Sequence, residues 1–402
     1  MARHAKYVED VATAMSIKFN AYANEMKAAG EDVTVLSAGE AFFDIPLFPF
    51  DTLPFPALYH YSNSRGLPGL RQKLAAYYGE HYGVPVDPAN ELIITTGSKI
   101  GLHMSFMALL EPGDEVVVPE PAWVSYSEHA RLCHANPVMV PHHVPVAELG
   151  EWITPRTRAI VVCSPQNPTG RVYTRDELLH LHALAKANDL YLVADEAYSD
   201  FLAGQAYVSC GVDDPEKEHT IICNTMSKNY GMSGWRIGYV ISNARVLEQI
   251  LKISQHLLTC SPTILEQYLE RHFDDILAIT KPQILEVVKK RAALAEYMDE
   301  LGLRYMEGSA AFYFFVSIED SALGSEEFCK RVLTEKKVAI VPGIGYGRSC
   351  DGFVRVGVGT ESAERIRAAL RAIKEVIDAT RRPGAEPSAA EPALSGASAA
   401  SV

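Results

Sequence analysis

The sequence predicts an α/β protein, with a large domain built on a mainly parallel central sheet flanked by helices and a smaller α+β domain after it. Three observations carry that prediction. Short apolar runs alternate with helical segments from about residue 67 to residue 241, the pattern of repeated strand–helix units. Polar clusters follow three of those runs directly: Ser164–Gly170, Asp195–Tyr198 and Ser227–Gly238. Beyond Leu301 strands near 312–316, 338–341 and 353–357 precede one last helix, 362–380.

Taken in order, Lys6 to Gly30 reads as an amphipathic helix. Val8, Val11, Met15, Phe19, Tyr22 and Met26 recur at spacings of three and four, and Gly30 is its stop. A short strand, Val33–Leu36, leads to Ser37-Ala38-Gly39-Glu40. Residues 42–61 carry prolines at 46, 49, 54 and 56 and read as irregular. A helix covers about 67–82. Strand 91–95 runs into Thr96-Gly97-Ser98-Lys99, which opens a helix to Leu110. Strand 115–118 is followed by helical residues near 122–134. Strand 159–163 comes next, and Thr174 with Glu177 three residues on makes a capping box for the following helix. Strands 190–194, 220–224 and 237–241 complete the large unit, and 246–301 is largely helical. From Arg381 the chain is Pro, Gly, Ala, Ser and Glu with almost no large apolar residue, the composition of a disordered tail. The expected division is 1–46 as a segment joining the small domain, 47–280 as the large domain, 281–380 as the small domain and 381–402 as the tail.

The chain has 402 residues, 48 % of them hydrophobic and 22 % charged, enough to bury a sizeable core. A net charge of −13 argues against a general nucleic-acid or anionic-membrane binder. Seven cysteines stand singly, with no C-x-x-C pair and no metal-ligand spacing. They fit free thiols in a reducing cytoplasm better than a disulfide framework. The first ten residues lack the apolar core of a signal peptide.

The chemistry centres on Ser227-Lys228-Asn229-Tyr230-Gly231-Met232-Ser233-Gly234-Trp235-Arg236-Ile237-Gly238. A lysine directly after a buried strand is oddly placed for a solvated charge. Glycines at 231, 234 and 238 let the backbone approach a ligand closely. Arg236 supplies a rigid fork for phosphate or carboxylate. An ionisable amine, a hydroxyl and a guanidinium together suit an aldehyde that also carries a phosphate. In open α/β sheets ligands sit at the carboxyl ends of strands. Asn167, Asp195, Tyr198 and Lys228 all fall at such ends. Gly97-Ser98-Lys99 opens a helix, whose free N–H groups form an anion site. Arg355 stands mid-strand among apolar residues with no acid beside it, so it needs a partner.

The string S-K-x-x-x-x-x-G-W-R-x-G, with N-P-T-G at 167–170 and D-E-x-Y at 195–198, closely resembles the pattern of class I/II pyridoxal-phosphate-dependent aminotransferases of fold type I, the aspartate aminotransferase superfamily. The resemblance spans about residues 33–380. It implies pyridoxal 5'-phosphate held as a Schiff base by Lys228, and amino-group exchange between an α-amino acid and a 2-oxo acid. It further implies that Asp195 pairs with the pyridine nitrogen, that Asn167 and Tyr198 bond the ring oxygen, and that Trp123 stacks on the ring. Ser98, Lys99, Ser227 and Arg236 would surround the phosphate. Arg355 would bind the substrate carboxylate, with Gly39 lying over the substrate. Tyr61 resembles the tyrosine that reaches the phosphate from a neighbouring subunit, which implies a homodimer with shared active sites. No metal is implied. Gly39-Glu40 is followed by Ala41-Phe42-Phe43, where many relatives have Pro-Asp-Phe, so the pattern departs at the expected place of the substrate side chain.

The same residues would serve a lyase, cyclase or oxidase using the same cofactor. A nicotinamide-dependent oxidoreductase fits poorly, because Gly343-Ile344-Gly345-Tyr346-Gly347 does not follow a first strand as the dinucleotide fingerprint requires. A catalytically silent binding module is disfavoured by the joint presence of Lys228, Asp195, Tyr198 and Arg355. Arg65 and His256 are weak candidates for reading a second carboxylate.

Overall fold

The computed structural model describes residues 4–202, 204 and 206–383. The first expected helix is broken. Lys6–Val8 forms a single 3-10 turn and the helix proper, α1, spans Met15–Ala28. Between them the chain is drawn out: Ala12 N–H donates to Glu128 Oε2 at 3.0 Å, and Ala14 is extended at φ −62°, ψ 114°. Val8 has no core to face and is 48 % exposed, whereas Phe19 and Ala23 are buried. Strand β1 is Thr34–Val35. The proline-bearing passage 42–61 holds only a 3-10 turn at Ala57–Tyr59 among its elements.

Helix α2, Pro68–Tyr82, starts on a proline that has no N–H to leave unpaired and ends on Gly83 at φ 68°. Strand β2 is Leu92–Thr95, helix α3 Ser98–Leu109, strand β3 Glu115–Pro119 and helix α4 Tyr126–Leu132. Strand β4, Asn136–Val140, was not foreseen. Its Pro137 cannot donate to a ladder, and β4 is an edge strand, where that costs least. Strand β5 is Thr157–Cys163. Helix α5, Arg175–Ala187, carries the predicted capping box: Glu177 N donates to Thr174 Oγ1 at 3.2 Å, and Thr174 N to Glu177 Oε2 at 2.9 Å. Strands β6 (Tyr191–Asp195) and β7 (Thr220–Thr225) lead to the one-turn helix α6, Met226–Asn229, and to β8, Gly238–Ile241. Helix α7 is Ala244–Leu257 and α8 Thr263–Glu300. The break between them holds Thr259 at φ 67° and Pro262.

Seven strands form the large sheet in the order β2-β8-β7-β6-β5-β3-β4. All run parallel except β8, which is antiparallel to both neighbours. Successive side chains point to opposite faces. Val161, Val193 and Ile221 therefore enter one core cluster, and Ile160, Val162, Leu192 and Ala194 another on the opposite face. Each fully buried Val, Ile or Leu contributes about 1.5–3 kcal/mol, and both faces are covered, as parallel sheets require.

The remaining strands build a second layer. They are β9 (Tyr313–Ser317), β10 (Val338–Ala339), β11 (Val341–Pro342) and β12 (Phe353–Gly357), with α9 (Ser325–Lys336) and α10 (Ala363–Ala379) packed alongside. The single strand expected over 338–341 is divided. Val338–Ala339 pairs with β1, and Val341–Pro342 pairs with β12 in the antiparallel sheet β11-β12-β9. The expected domain boundary near residue 280 falls inside α8. The expected tail begins with held residues, since Arg382 N donates to Asp320 O at 2.9 Å; from residue 384 it lies outside the described residues. No described helix is long and apolar enough to cross a membrane.

Candidate active site

Strands β2, β3, β5, β6 and β7 end at one rim of the large sheet, which faces β12 and the Gly39 segment. The cleft between them has a volume of 570 Å³ and is lined by Gly39, Ser98, Lys99, Trp123, Asn167, Asp195, Tyr198, Ser227, Lys228, Arg236 and Arg355. Of the residues singled out from the sequence, Tyr61, Arg65 and His256 lie outside this cleft and the others line it.

Lys228 sits on α6, one turn past β7. Its Nζ donates to the Gly39 carbonyl at 2.5 Å. Burial lowers its pKa to about 8; Arg355 and Arg236 push the same way, against Glu40 and Asp195. Asp195 ends β6. Burial raises its carboxyl to about 6, opposed by a hydrogen bond from Tyr126 Oη (2.7 Å), one from Ala197 N (3.2 Å) and the Lys228 charge.

The anion cradle depends on two glycines. Gly97 has φ +83°, and a Cβ there would lie 2.4 Å from Arg236 Nη2. At Gly238 a Cβ would lie 2.4 Å from Ser98 N. Without those carbons the Ser98 N–H, at the start of α3, and the Arg236 guanidinium stand side by side. Arg236 Nη1 donates to Ser233 O at 2.6 Å and Ser227 Oγ at 3.4 Å. Lys99 places its ammonium 5.0 Å from the Trp123 ring centroid, and burial, then Arg236, lowers its pKa.

Asn167 is buried on the loop after β5. Its Nδ2 donates to Tyr198 Oη at 3.3 Å and its Oδ1 accepts from Arg355 Nη1 at 3.2 Å. Tyr198 Oη also meets Tyr313 Oη at 3.0 Å, and burial holds the Tyr198 phenol well above its usual range. Arg355, opposite Phe315 and Val341 in its sheet, is 2 % exposed. Nη2 donates to Ser37 O at 2.6 Å, but Nε is buried without a partner. The guanidinium lies 4.5 Å from the Tyr313 ring centroid, and none of its described contacts is a carboxylate. A buried cation so placed suits an incoming carboxylate.

Tyr61 does not enter this cleft. It is 84 % exposed and borders a separate 760 Å³ hollow with Tyr59, Thr96 and Ser261. Arg65 pairs with Glu248 at 3.6 Å, and His256 is exposed on α7; neither lines the cleft. Sequence reasoning missed Tyr126 and Tyr313. Tyr126 carried a usable signal, because it stands three residues past Trp123 at the start of a helix leaving the rim. Tyr313 carried none, since its role comes from stacking under Arg355.

The chain matches the family model for aminotransferase class I and II over residues 16–373. It is 31 % identical to an aspartate aminotransferase of Pyrococcus abyssi, over 88 % of this chain and 94 % of that one. An aromatic-amino-acid aminotransferase of Thermococcus litoralis is 30 % identical, over 86 % and 92 %. Its fold superposes on aspartate aminotransferase from Thermus thermophilus, solved with maleate, at a TM-score of 0.86, with 33 % identity over 94 % of this chain and all of that one. With that match spanning both layers and the cleft between them, the chain belongs to the class I and II aminotransferases of fold type I.

Proposed function

We propose that this cleft binds pyridoxal 5'-phosphate and that Lys228 transfers the proton in an exchange between an α-amino acid and a 2-oxo acid. The observation that carries this is the convergence of Lys228, Asp195, Asn167, Arg236 and Arg355 on one 570 Å³ space. The donor set fits the cofactor at each end. Ser98 N–H, Ser227 Oγ and Arg236 hold a phosphate. Asp195 would hold a protonated ring nitrogen, whose charge would favour the ionised carboxylate. Asn167 and Tyr198 would hold the ring oxygen, and Trp123, with Lys99 against it, would pack on the ring. The bound cofactor supplies an electron-poor ring that accepts the pair left when Cα loses its proton.

The residues then divide the work. Arg355 fixes the substrate carboxylate, and Gly39 admits it close to the backbone. Lys228 Nζ would hold the cofactor aldehyde, and as a free amine it would move the proton at Cα. A pKa of about 8 leaves part of that amine unprotonated near neutrality. The lyase, cyclase or oxidase alternative gains no support from the three relatives described above, each an aminotransferase by name.

Residues 47–280 form the cofactor-bearing unit in this reading. Residues 281–380 with 1–46 form the carboxylate-bearing unit. The partners are small-molecule amino acids and 2-oxo acids, without nucleic acid or membrane. A second copy of the chain covers the exposed Tyr59 and Tyr61, as large exposed apolar surfaces favour, and lends Tyr61 to the phosphate. Seven free cysteines fit a reducing cytoplasm.

The test is a screen of acidic, aromatic and aliphatic amino donors with purified holoenzyme. We expect 2-oxo acid release coupled to a shift in cofactor absorption, and restoration of that absorption by an added 2-oxo acid. Product formation without amino transfer to any 2-oxo acid would reject the proposal.

A further inference from the structure

Two pieces of the cleft come from different layers and are held together from behind by one buried cation. Arg291 lies on α8 and is 2 % exposed. Its Nε donates to the Tyr313 carbonyl at 2.9 Å and its Nη2 to the Thr169 carbonyl at 3.2 Å. The guanidinium stacks over Phe314, 4.4 Å from the ring centroid. None of these described contacts is a carboxylate. A buried cation without an anion is costly, and for packing alone an apolar side chain of similar volume would serve at less cost.

What Arg291 does that an apolar residue cannot is fix two carbonyls from separate elements at a set spacing. The segments it joins touch backbone to backbone. A Cβ at Gly308 would lie 2.3 Å from Thr169 O, and one at Gly170 would lie 2.2 Å from Ala310 O. Ser309 N and Ala310 N both donate to Gly170 O, at 3.1 and 3.0 Å. On the cleft side the same segments present Asn167 and Tyr313. Asn167 accepts from Arg355, and Tyr313 lies under it. The contacts therefore close a ring: Arg291 to Thr169, along the loop to Asn167, across to Arg355, down to Tyr313 and back to Arg291.

We propose that Arg291 is a positioning residue that sets the separation of Asn167 and Tyr313 and thereby aims Arg355 at the substrate carboxylate. This rests on the reading of Arg355 as the carboxylate anchor. Arg291 touches neither substrate nor cofactor; its effect passes through the loop carbonyl and the strand carbonyl that it grips. A lysine keeps the charge but lacks the planar fork that spans two acceptors.

The test compares Arg291→Lys, Arg291→Met and Arg355→Met as holoenzymes. The substrate is the amino acid that serves best in the donor screen. Three quantities are read: KM and kcat separately, the pH midpoint of the visible cofactor absorption, and pyridoxal phosphate affinity by calorimetry. For Arg291→Lys we expect KM to rise about tenfold with kcat nearly unchanged. The absorption midpoint should move by about half a pH unit, because Asn167 shifts, while cofactor affinity stays within about twofold, because Ser98 and Arg236 do not. Arg291→Met should show the larger effect of the two. A folded Arg291→Lys with wild-type KM and midpoint, beside an Arg355→Met whose KM has risen, would overturn the positioning role alone. Unchanged KM in Arg355→Met would instead remove the carboxylate anchor on which the role depends. If Arg291→Lys does not fold, the residue serves stability only and the proposal is equally overturned.

Discussion

Lys228 Nζ donates to the carbonyl oxygen of Gly39, 189 positions earlier in the chain. The amine is parked on a backbone acceptor from the segment that joins the second layer, and burial, then Arg355 and Arg236, depress its pKa. Lys228→Ala removes the group proposed to hold the cofactor aldehyde and to move the proton. The variant is expected to fold, to lack the near-visible absorption of lysine-bound cofactor, and to lose turnover by about 10⁴-fold. Absorption spectra and initial rates on one preparation check it; turnover within tenfold of wild type would refute the assignment.

The same pKa makes a statement about stability. A lysine lowered to about 8 when folded but near 10.5 when unfolded binds fewer protons in the folded state between those values. Stability from this group therefore rises with pH from about 8 to 10.5. In the cofactor-free protein, Lys228→Met should be the more stable form below pH 8, with the difference shrinking toward pH 10.5. Paired denaturant titrations across that range measure it; a constant difference would contradict the shift.

Tyr126 bears on Asp195. Its hydroxyl stabilises the ionised carboxylate, so Tyr126→Phe raises the Asp195 pKa above its present value of about 6. Loss of a hydrogen bond to a charged group is worth about 1.5–3 kcal/mol, or about one to two pH units. The pH profile of the Asp195 carboxyl, followed by infrared difference absorption in the cofactor-free protein, should move upward by that amount. A profile superposable on wild type would mean that Tyr126 does not tune the acid.

Arg355→Met leaves the proposed carboxylate subsite without its cation. Removing one partner of a buried charge pair costs about 2–5 kcal/mol, so kcat/KM should fall by about 30- to 4000-fold, whichever donor is used. Equal losses for amino acids and for amines lacking the carboxylate would show that Arg355 is not its anchor.

Gly97→Ala tests the phosphate cradle. The new carbon would lie 2.4 Å from Arg236 Nη2 in a backbone at φ +83°, so the guanidinium must move. Cofactor affinity should drop about tenfold or more, since a charge-assisted contact is lost. Calorimetric titration of the cofactor-free protein with pyridoxal phosphate reads the change.

Much of this was legible because the chemistry lies at chain positions that local pattern marks. Lys228 follows an apolar run, Asn167 and Asp195 close others, and each run became a strand of the large sheet. Other features were hidden because they depend on what comes alongside. The spacing at Val8 and Val11 promised a helix, but no apolar surface lies there to receive it, and Glu128 takes the Ala12 N–H instead. β4 was missed because Pro137 masks a strand that only its edge position permits. Arg291 carries no local signal on its long helix, because the carbonyls it grips, Thr169 and Tyr313, come from distant parts of the chain.

The reversed strand β8 has one more effect. Lys228 and Arg236 flank a single short excursion between β7 and β8, which pair directly with each other. The grips on the two ends of the ligand thus belong to one hairpin-like part, not to separately moving walls. A substitution that loosens the β7–β8 pairing would therefore slacken both proposed grips together.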